Sequence, residues 1–241
     1  MEILTDAVGW FADPAMWSGV NGIPNRLFEH VWVSALSVLV AILVAVPTGL
    51  AIGHTGRGAF ITVSVANLGR SIPSYALLLI FFTIVNRVGF APAIPALVLL
   101  AIPPILTNTY VALREVDRDM IEAGRAMGMG ELQLLRRVEL PIAISSIVTG
   151  VRIAAVQVVA TATLAALVGG GALGRYIVDG FALQRYDQLV GGALLVAILA
   201  LLTERAFTWI EGRLISPGLR RGTTVEAEIL SMPRPPQTAA G

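Results

Sequence analysis

The charged side chains that could do chemistry are concentrated between two apolar runs, in residues 114–140, which we call the polar segment. Asp119 is followed three residues later by Glu122, a spacing that predicts the start of a helix with Asp119 as its cap. Gly124 and Gly128 come next, and residues without a side chain allow another backbone to approach closely. The pattern is typical of a surface that packs against another protein chain, and not of a catalytic site.

Residue types that common catalytic sites require are missing from the sequence. All 17 basic residues are arginine, which excludes a phosphate-binding loop of the Walker type, because the lysine of that loop must reach the phosphates. The absence of cysteine removes thiolate nucleophiles and cysteine metal sites. His30 and His54, the only histidines, lie near opposite ends of one apolar run, which argues against a two-histidine metal site. We therefore expect no catalysis, metal or cofactor in this chain, and we expect energy for work to enter through another subunit.

The elements that must position the polar segment are membrane-spanning helices. Hydrophobic residues make up 56% of the chain and charged residues only 14%, whereas about a quarter of a soluble domain is charged. This composition excludes a water-soluble enzyme, a nucleic-acid-binding domain and a disordered protein. Apolar runs predict five crossings, at about 31–53, 58–86, 92–113, 141–168 and 187–210. Arg70 and Pro73 interrupt the second run, which predicts a bent or split helix and leaves a sixth crossing open.

The distribution of arginine sets the orientation of the predicted spans. With the amino terminus outside, eleven arginines fall in inner segments and four in outer segments, in agreement with the positive-inside rule. The polar segment then lies in the cytoplasm, as does the carboxyl terminus of this multi-pass cell-membrane protein. We divide the chain into an extracytoplasmic or interfacial segment at 1–28, a membrane domain at 29–212 and a cytoplasmic, unstructured tail at 213–241.

Polar side chains inside the predicted spans are candidates for a solute pathway, because such groups are costly in lipid and usually face a wet cavity. A lining of hydroxyls and amides suits a zwitterion that must not bind tightly. Serine and threonine also cement contacts between helices, and an arginine can snorkel to an interface, so a structural role stays open for each residue. The candidates are Asn67, Arg70, Ser71, Asn108, Arg152, Gln157, Thr161 and Thr163.

The spacing of residues across the polar segment resembles the signature of permease subunits of ATP-binding-cassette (ABC) importers. That signature reads EAA, three residues, G, nine residues, I, one residue, LP. This chain departs from it conservatively, with Gly124 where alanine is usual and Val138 where isoleucine is usual. The corresponding positions are Glu122, Ala123, Gly124, Gly128, Val138, Leu140 and Pro141.

The resemblance implies an all-α integral membrane protein with the type I importer permease fold, whose polar segment docks in a cleft of an ATPase. It also implies a pair of such ATPases that bind ATP and magnesium, a second permease that is identical or paralogous, and an extracytoplasmic substrate-binding protein. Membrane lipid surrounds the chain, and nucleic acid is not a partner. Further stretches resemble the osmoprotectant branch, which imports glycine betaine, carnitine, choline or proline-type solutes: 72–74, 103–110, 123–129, 161–167 and 169–171.

Other functions compete with this interpretation. An ABC permease for another small amino-acid-like solute would share the signature. A proton-coupled transporter commonly uses Asp, Glu or His within its spans, and the apolar cores of the predicted spans contain none, although backbone carbonyls alone can bind sodium. An intramembrane hydrolase would need a nucleophile beside a base, and the sequence contains no GxSxG motif.

Overall fold

The computed structural model describes residues 2–214, and almost all of that range is helical. Within it, β-structure is limited to one parallel bridge between Gly89 and Gly169. Nearly all of the predicted tail at 213–241 lies outside the described residues. The helices are α1 (Glu2–Ala12), α2 (Ile23–Thr55), α3 (Ala59–Ser71), α4 (Ser74–Val85), α5 (Ala93–Arg114), α6 (Arg118–Ala126), α7 (Glu131–Leu134), α8 (Leu140–Thr161), α9 (Gly174–Ala182) and α10 (Tyr186–Leu214).

Four helical stretches of the described chain are long and apolar enough to cross a membrane, and they coincide with four of the five predicted spans. The stretches are Ile23–Thr55, Ala93–Arg114, Glu131–Val168 and Tyr186–Leu214. The third is the longest because several helical pieces follow one another without interruption. In it, a π-helical turn at Leu135–Glu139 joins α7 to α8, and a 3₁₀ helix at Ala162–Val168 extends α8.

The remaining predicted span, at 58–86, consists of two helices separated by Ile72 and Pro73. A proline disfavours the helical conformation of the residue before it, and Pro73 itself is extended (φ −61°, ψ 129°). Helix α3 therefore ends before the proline, and α4 begins after it. With 13 and 12 residues, neither helix alone reaches the ~20 residues that a crossing needs.

Helices α3 and α4 both pack against α5. Gly69 of α3 lies directly against the ring of Pro103, so no larger side chain fits between these two helices. Leu77 and Leu78 of α4 are buried against the first turns of α5, in a cluster that includes Leu100. This arrangement is that of one broken crossing, and it favours five crossings over six.

Helix α5 lies at the centre of the bundle, between α2 and α8. On α2, a Cβ atom added at Gly49 would lie 2.7 Å from the Cβ of Thr109. On α8, a Cβ atom added at Gly150 would lie 2.6 Å from the Cβ of Asn108. Close approach at small residues is how helices associate in lipid, where burial of apolar surface provides no driving force. These glycines therefore fix how α2 and α8 sit on α5.

The amino-terminal helix α1 packs against the bundle. Trp10 is only 4% exposed, because it lies against Gly191 of α10 and makes an edge-to-face contact with Tyr176 of α9. Helix α2 then begins at Ile23, within the segment 1–28 that was predicted to be separate. The amino-terminal segment thus contributes to the packing of the membrane domain.

Candidate functional site

The polar segment begins with helix α6, whose cap is Asp117. The Asp117 carboxylate accepts a hydrogen bond of 2.9 Å from the backbone nitrogen of Asp119, and Asp117 has an extended backbone. The prediction that Asp119 caps this helix is therefore wrong by two residues. Asp119 lies instead in the first turn, where a carboxylate interacts favourably with the helix dipole.

Helix α6 ends in a turn that requires Gly128. Its φ angle is +82°, a left-handed conformation that side chains disfavour. The backbone nitrogen of Gly128 donates to the carbonyl of Arg125 at 2.9 Å, and that of Met129 donates to the carbonyl of Gly124 at 3.1 Å. This pair of bonds is a Schellman motif, which satisfies carbonyl groups at the helix end. The signature glycine at 128 is thus explained by backbone conformation.

Gly124 faces the interior of the polar segment. A Cβ atom at this position would lie 2.6 Å from Cδ1 of Leu134, which is fully buried. The absence of a side chain at position 124 therefore allows α7 to fold back onto α6. The close approach predicted for this glycine occurs within the segment and does not involve a partner chain.

The outer surface of the polar segment carries both acidic and apolar side chains. Glu122 and Ala123 of the signature are exposed. Three large apolar side chains are also strongly exposed, namely Met120 (50%), Met127 (71%) and Leu132 (61%). All three fall within residues 120–132, and exposed apolar side chains on a polar segment are candidates for contact with another protein.

The second half of the signature attaches the polar segment to α8. Val138 is half-buried, and its Cγ2 would lie 4.0 Å from a Cβ at Gly124. Leu140 is half-buried and packs with Leu113 of α5. Pro141 is exposed and is the second residue of α8, directly after the π-helical turn.

His54, in the last turn of α2, lies between two carboxylates of the polar segment. Its Nδ1 is 2.6 Å from Oε2 of Glu139, and its Nε2 is 3.2 Å from Oε2 of Glu131. The side chain of Glu139 is only 4% exposed, whereas that of Glu131 is 60% exposed. The sequence indicated no role for this contact, because 85 residues separate His54 from Glu139.

Arg125 extends this contact to α6. Its Nε and Nη2 donate to the two carboxylate oxygens of Glu131 at 3.0 and 3.1 Å. Hydrogen bonding from Arg125 lowers the pKa of Glu131, and the same bond raises the pKa of Arg125. Glu131 is therefore a shared acceptor for α6 and α2.

A cavity of about 550 Å³ lies between α3, α4, α5 and α8. Its polar lining consists of Ser74, Thr107, Asn108 and Gln157, and none of its described lining side chains is charged. We call it the neutral cavity. Two of the predicted pathway residues, Asn108 and Gln157, line it.

Arg152 does not line the neutral cavity and faces α10 instead. Its guanidinium lies 3.6 Å from a carboxylate oxygen of Glu204 and 3.2 Å from one of Glu211, and it donates to the Thr208 hydroxyl at 3.2 Å. Thr149 also donates to Glu211 at 2.9 Å. These partners explain how α8 tolerates an arginine in a predicted span. The sequence signal for this contact was the spacing of Glu204, Thr208 and Glu211, which places all three side chains on one face of α10.

The other predicted pathway residues also lie away from the described lining of the neutral cavity. Asn67 and Ser71 are exposed on α3, where the Ser71 hydroxyl donates to the Asn67 carbonyl at 2.8 Å. The Thr163 hydroxyl donates to the Ala160 carbonyl at 2.8 Å, and Thr161 is half-buried at the end of α8. The side chain of Arg70 lies outside the described part of the chain.

Comparison with known proteins identifies the family. Residues 30–216 match the family described as the binding-protein-dependent transport system inner membrane component. This chain belongs to that family. The carnitine transport permease protein OpuCB of Listeria monocytogenes is 42% identical over 195 residues, which cover 81% of this chain and 89% of that protein. The glycine betaine/carnitine/choline transport system permease protein OpuCB of Bacillus subtilis is 36% identical over 192 residues, 80% of this chain and 88% of that protein.

The fold agrees with the family assignment. The inward-facing MetNI methionine ABC transporter matches with a TM-score of 0.70 and 28% identity, covering 85% of this chain and 99% of that chain. The predicted all-α fold of a type I ABC importer permease is therefore confirmed. The protein is a multi-pass permease subunit of the inner membrane.

Proposed function

We propose that this protein forms the translocation pathway of an ATP-driven importer for compatible solutes such as glycine betaine, carnitine, choline or proline-type osmoprotectants. The observation that carries the proposal is the polar segment, which combines the permease signature with an exposed apolar surface at Met120, Met127 and Leu132. The names of the two OpuCB relatives support the class of solute.

The importer contains three further kinds of protein. A dimer of ATPase subunits, which binds ATP and magnesium, docks on the polar segment through Ala123 and the exposed apolar side chains. A second permease, identical or paralogous, completes the pathway, and an extracytoplasmic binding protein delivers the solute. The family description supports the last partner, because it names a binding-protein-dependent system. This chain performs no catalysis.

The neutral cavity is the part of the pathway within this chain. Its hydroxyl and amide groups can hydrogen-bond a carboxylate, and its described lining contains no charge that would trap a zwitterion. The hydroxyl oxygen of Thr107 is buried and lacks a hydrogen-bond partner among the described residues. Aromatic faces, which normally bind quaternary ammonium groups, are absent from the described lining. Selectivity therefore resides mainly in the binding protein.

The function is tested by transport in proteoliposomes that contain the permease, its ATPase and its binding protein. We expect radiolabelled glycine betaine to accumulate only when ATP is present on the ATPase side and the binding protein on the opposite side. Uptake that persists with ion gradients and without ATP would indicate a secondary transporter. Uptake of an unmethylated amino acid in preference to all the osmoprotectants would indicate the alternative ABC substrate class.

The orientation is tested by labelling, and the absence of cysteine makes the wild-type chain a clean background. Ala123→Cys places a thiol on the exposed surface of the polar segment. Phe181→Cys places one on α9, at a residue that is 73% exposed. With the amino terminus outside and the carboxyl terminus in the cytoplasm, a membrane-impermeant maleimide labels intact cells only at position 181. Labelling only at position 123 would show that the orientation is opposite to the proposed one.

A further inference from the structure

Helix α2 contacts the polar segment through a side chain, although the two are far apart in sequence. Helix α5 leads directly into the polar segment and α8 follows directly from it, so both are connected to the segment by the backbone. Helix α2 has no such backbone connection, although it packs along α5 and its end also meets Arg114. Among the described hydrogen bonds and ion pairs, its contact with the segment is made by His54, which lies between Glu139 in the turn before α8 and Glu131 at the start of α7.

Both ring nitrogens of His54 face carboxylate oxygens of the polar segment. Nδ1 hydrogen-bonds Oε2 of Glu139 at 2.6 Å, and Nε2 lies 3.2 Å from Oε2 of Glu131. An imidazole ring carries a nitrogen on each of two sides, so one side chain can meet both carboxylates. The ring of His54 therefore lies between the turn before α8 and the start of α7.

The contact is also costly to break. The side chain of Glu139 is 4% exposed and that of His54 is 14% exposed, so separating them leaves a carboxylate in a poorly solvated environment. Glu131 passes the contact on to Arg125 of α6 through two hydrogen bonds. A displacement of α6 and α7 therefore acts on His54 from two sides, through Glu131 and through the turn that contains Glu139.

We propose that His54 is the positioning residue that links α2 to the polar segment, so that closure of the ATPases moves α2 together with α5 and α8. The inference rests on the proposed function, in which the polar segment receives that movement. His54 acts through Glu139 and Glu131 and touches neither nucleotide nor solute. Without the link, the ATPases still bind and hydrolyse ATP, but the end of α2 is held only through its packing on α5, and less solute is imported for each ATP.

The test uses the complete importer in proteoliposomes and measures solute imported per ATP hydrolysed. We expect His54→Gln, which replaces the ring by an amide that can meet only one of the two carboxylates, to lower this ratio about fivefold, a coupling typical of residues in direct contact. The amount of ATPase that co-purifies with the permease should not change. Thr55→Val is the matched control, because Thr55 is the next residue, is exposed, and its hydroxyl donates to Ala51 of its own helix. It should retain the wild-type ratio.

Two further variants separate positioning from simple stability. His54→Arg presents several N–H donors to both carboxylates, and it should retain most of the ratio that His54→Gln loses. Glu131→Gln changes an exposed side chain, so folding should be unaffected. It should lower the ratio roughly twofold. Because His54 and Glu131 act as a unit, the double variant should lower the ratio by less than the product of the two single reductions.

The outcomes distinguish this inference from the function on which it rests. A wild-type importer that accumulates solute with ATP, together with unchanged ratios in both His54→Gln and Glu131→Gln, would overturn the role of His54 and leave the importer function intact. A ratio as low in His54→Arg as in His54→Gln would also contradict a link through N–H groups at position 54. Absence of ATP-driven uptake by the wild type would overturn both proposals.

Discussion

The polar segment and the neutral cavity differ in how their residues are fixed in place. In the polar segment, a glycine with positive φ, a second glycine beneath Leu134 and three side-chain contacts of Glu131 and Glu139 specify one conformation. In the neutral cavity, the polar groups are uncharged, and the Thr107 hydroxyl has no partner among the described residues. A surface that must dock a rigid partner needs a fixed shape, whereas a pathway functions best when no group in it binds the solute tightly.

The largest effect is expected where the polar segment has no free space. Gly124→Leu places a side chain where Leu134 already lies, and overpacking of this kind costs about 1–3 kcal/mol. Because α7 is then displaced from α6, ATP-driven uptake should fall by more than about tenfold. The measurement is uptake normalised to the amount of permease in the membrane.

Gly130→Leu is the control for this substitution. A Cβ atom at Gly130 meets nothing within 4 Å, and its backbone is extended, so a side chain is tolerated there. Equal uptake by Gly124→Leu and Gly130→Leu would show that uptake does not depend on the close packing of α7 against α6.

The next largest effect concerns the docking surface. Glu122→Lys reverses an exposed signature charge on the proposed docking surface, and it should reduce uptake about tenfold while the ATPase still hydrolyses ATP. Glu115→Lys makes the same change at an exposed glutamate outside the signature, and it should leave uptake unchanged. Comparable losses in both variants would point to net charge as the cause and would argue against docking at Glu122.

A smaller effect is expected in the neutral cavity. Gln157→Glu introduces a carboxylate that attracts the ammonium group of a zwitterion and repels its carboxylate. Uptake of glycine betaine should fall about threefold, a change in barrier of roughly 0.6 kcal/mol, with ATP hydrolysis unaffected. Thr163→Val, outside the described lining of the cavity, should behave as wild type. A loss in Thr163→Val that matches the loss in Gln157→Glu would argue against this route for the solute.

The smallest effect concerns the exposed pair of Arg125 and Glu131. Since Arg125 lowers the pKa of Glu131, the pair is complete above the ordinary pKa of a glutamate and is lost as pH falls through the lowered value. Arg125→Gln should therefore raise the pKa of Glu131, with little change in uptake at neutral pH because the pair is exposed. The carboxylate band in infrared spectra, identified by its loss in Glu131→Gln, follows this titration. An unchanged titration would contradict the role of Arg125.

The sequence predicted features that depend on local pattern. Apolar runs identified the long helices because hydrophobic length is a property of neighbouring residues, and Pro73 identified the break because proline acts on the residue before it. The polar segment was recognised from the spacing of its glycines. The cap was misplaced from Asp117 to Asp119, because two aspartates two residues apart offer similar capping chemistry and the backbone conformation decides between them.

Features that depend on long-range contact were beyond the sequence. Arg152 was placed among the pathway candidates because its partners on α10 follow it by 52 to 59 residues, and only the packing of α8 on α10 brings them together. The same applies to His54 and Glu139. Gly124 was expected to face a partner chain, since a sequence does not show that α7 folds back over α6.

The break between α3 and α4 has a consequence for how a solute moves. Ile72 and Pro73 are non-helical residues within the predicted second span, and both are exposed where they line the neutral cavity. Within a bilayer, backbone outside a helix is tolerated only when protein buries it or water solvates it. Because the chain does not bury these two residues, we expect water to occupy the cavity before any solute arrives. An entering zwitterion exchanges one shell of water for another, and avoids most of the dehydration penalty that a dry passage would impose.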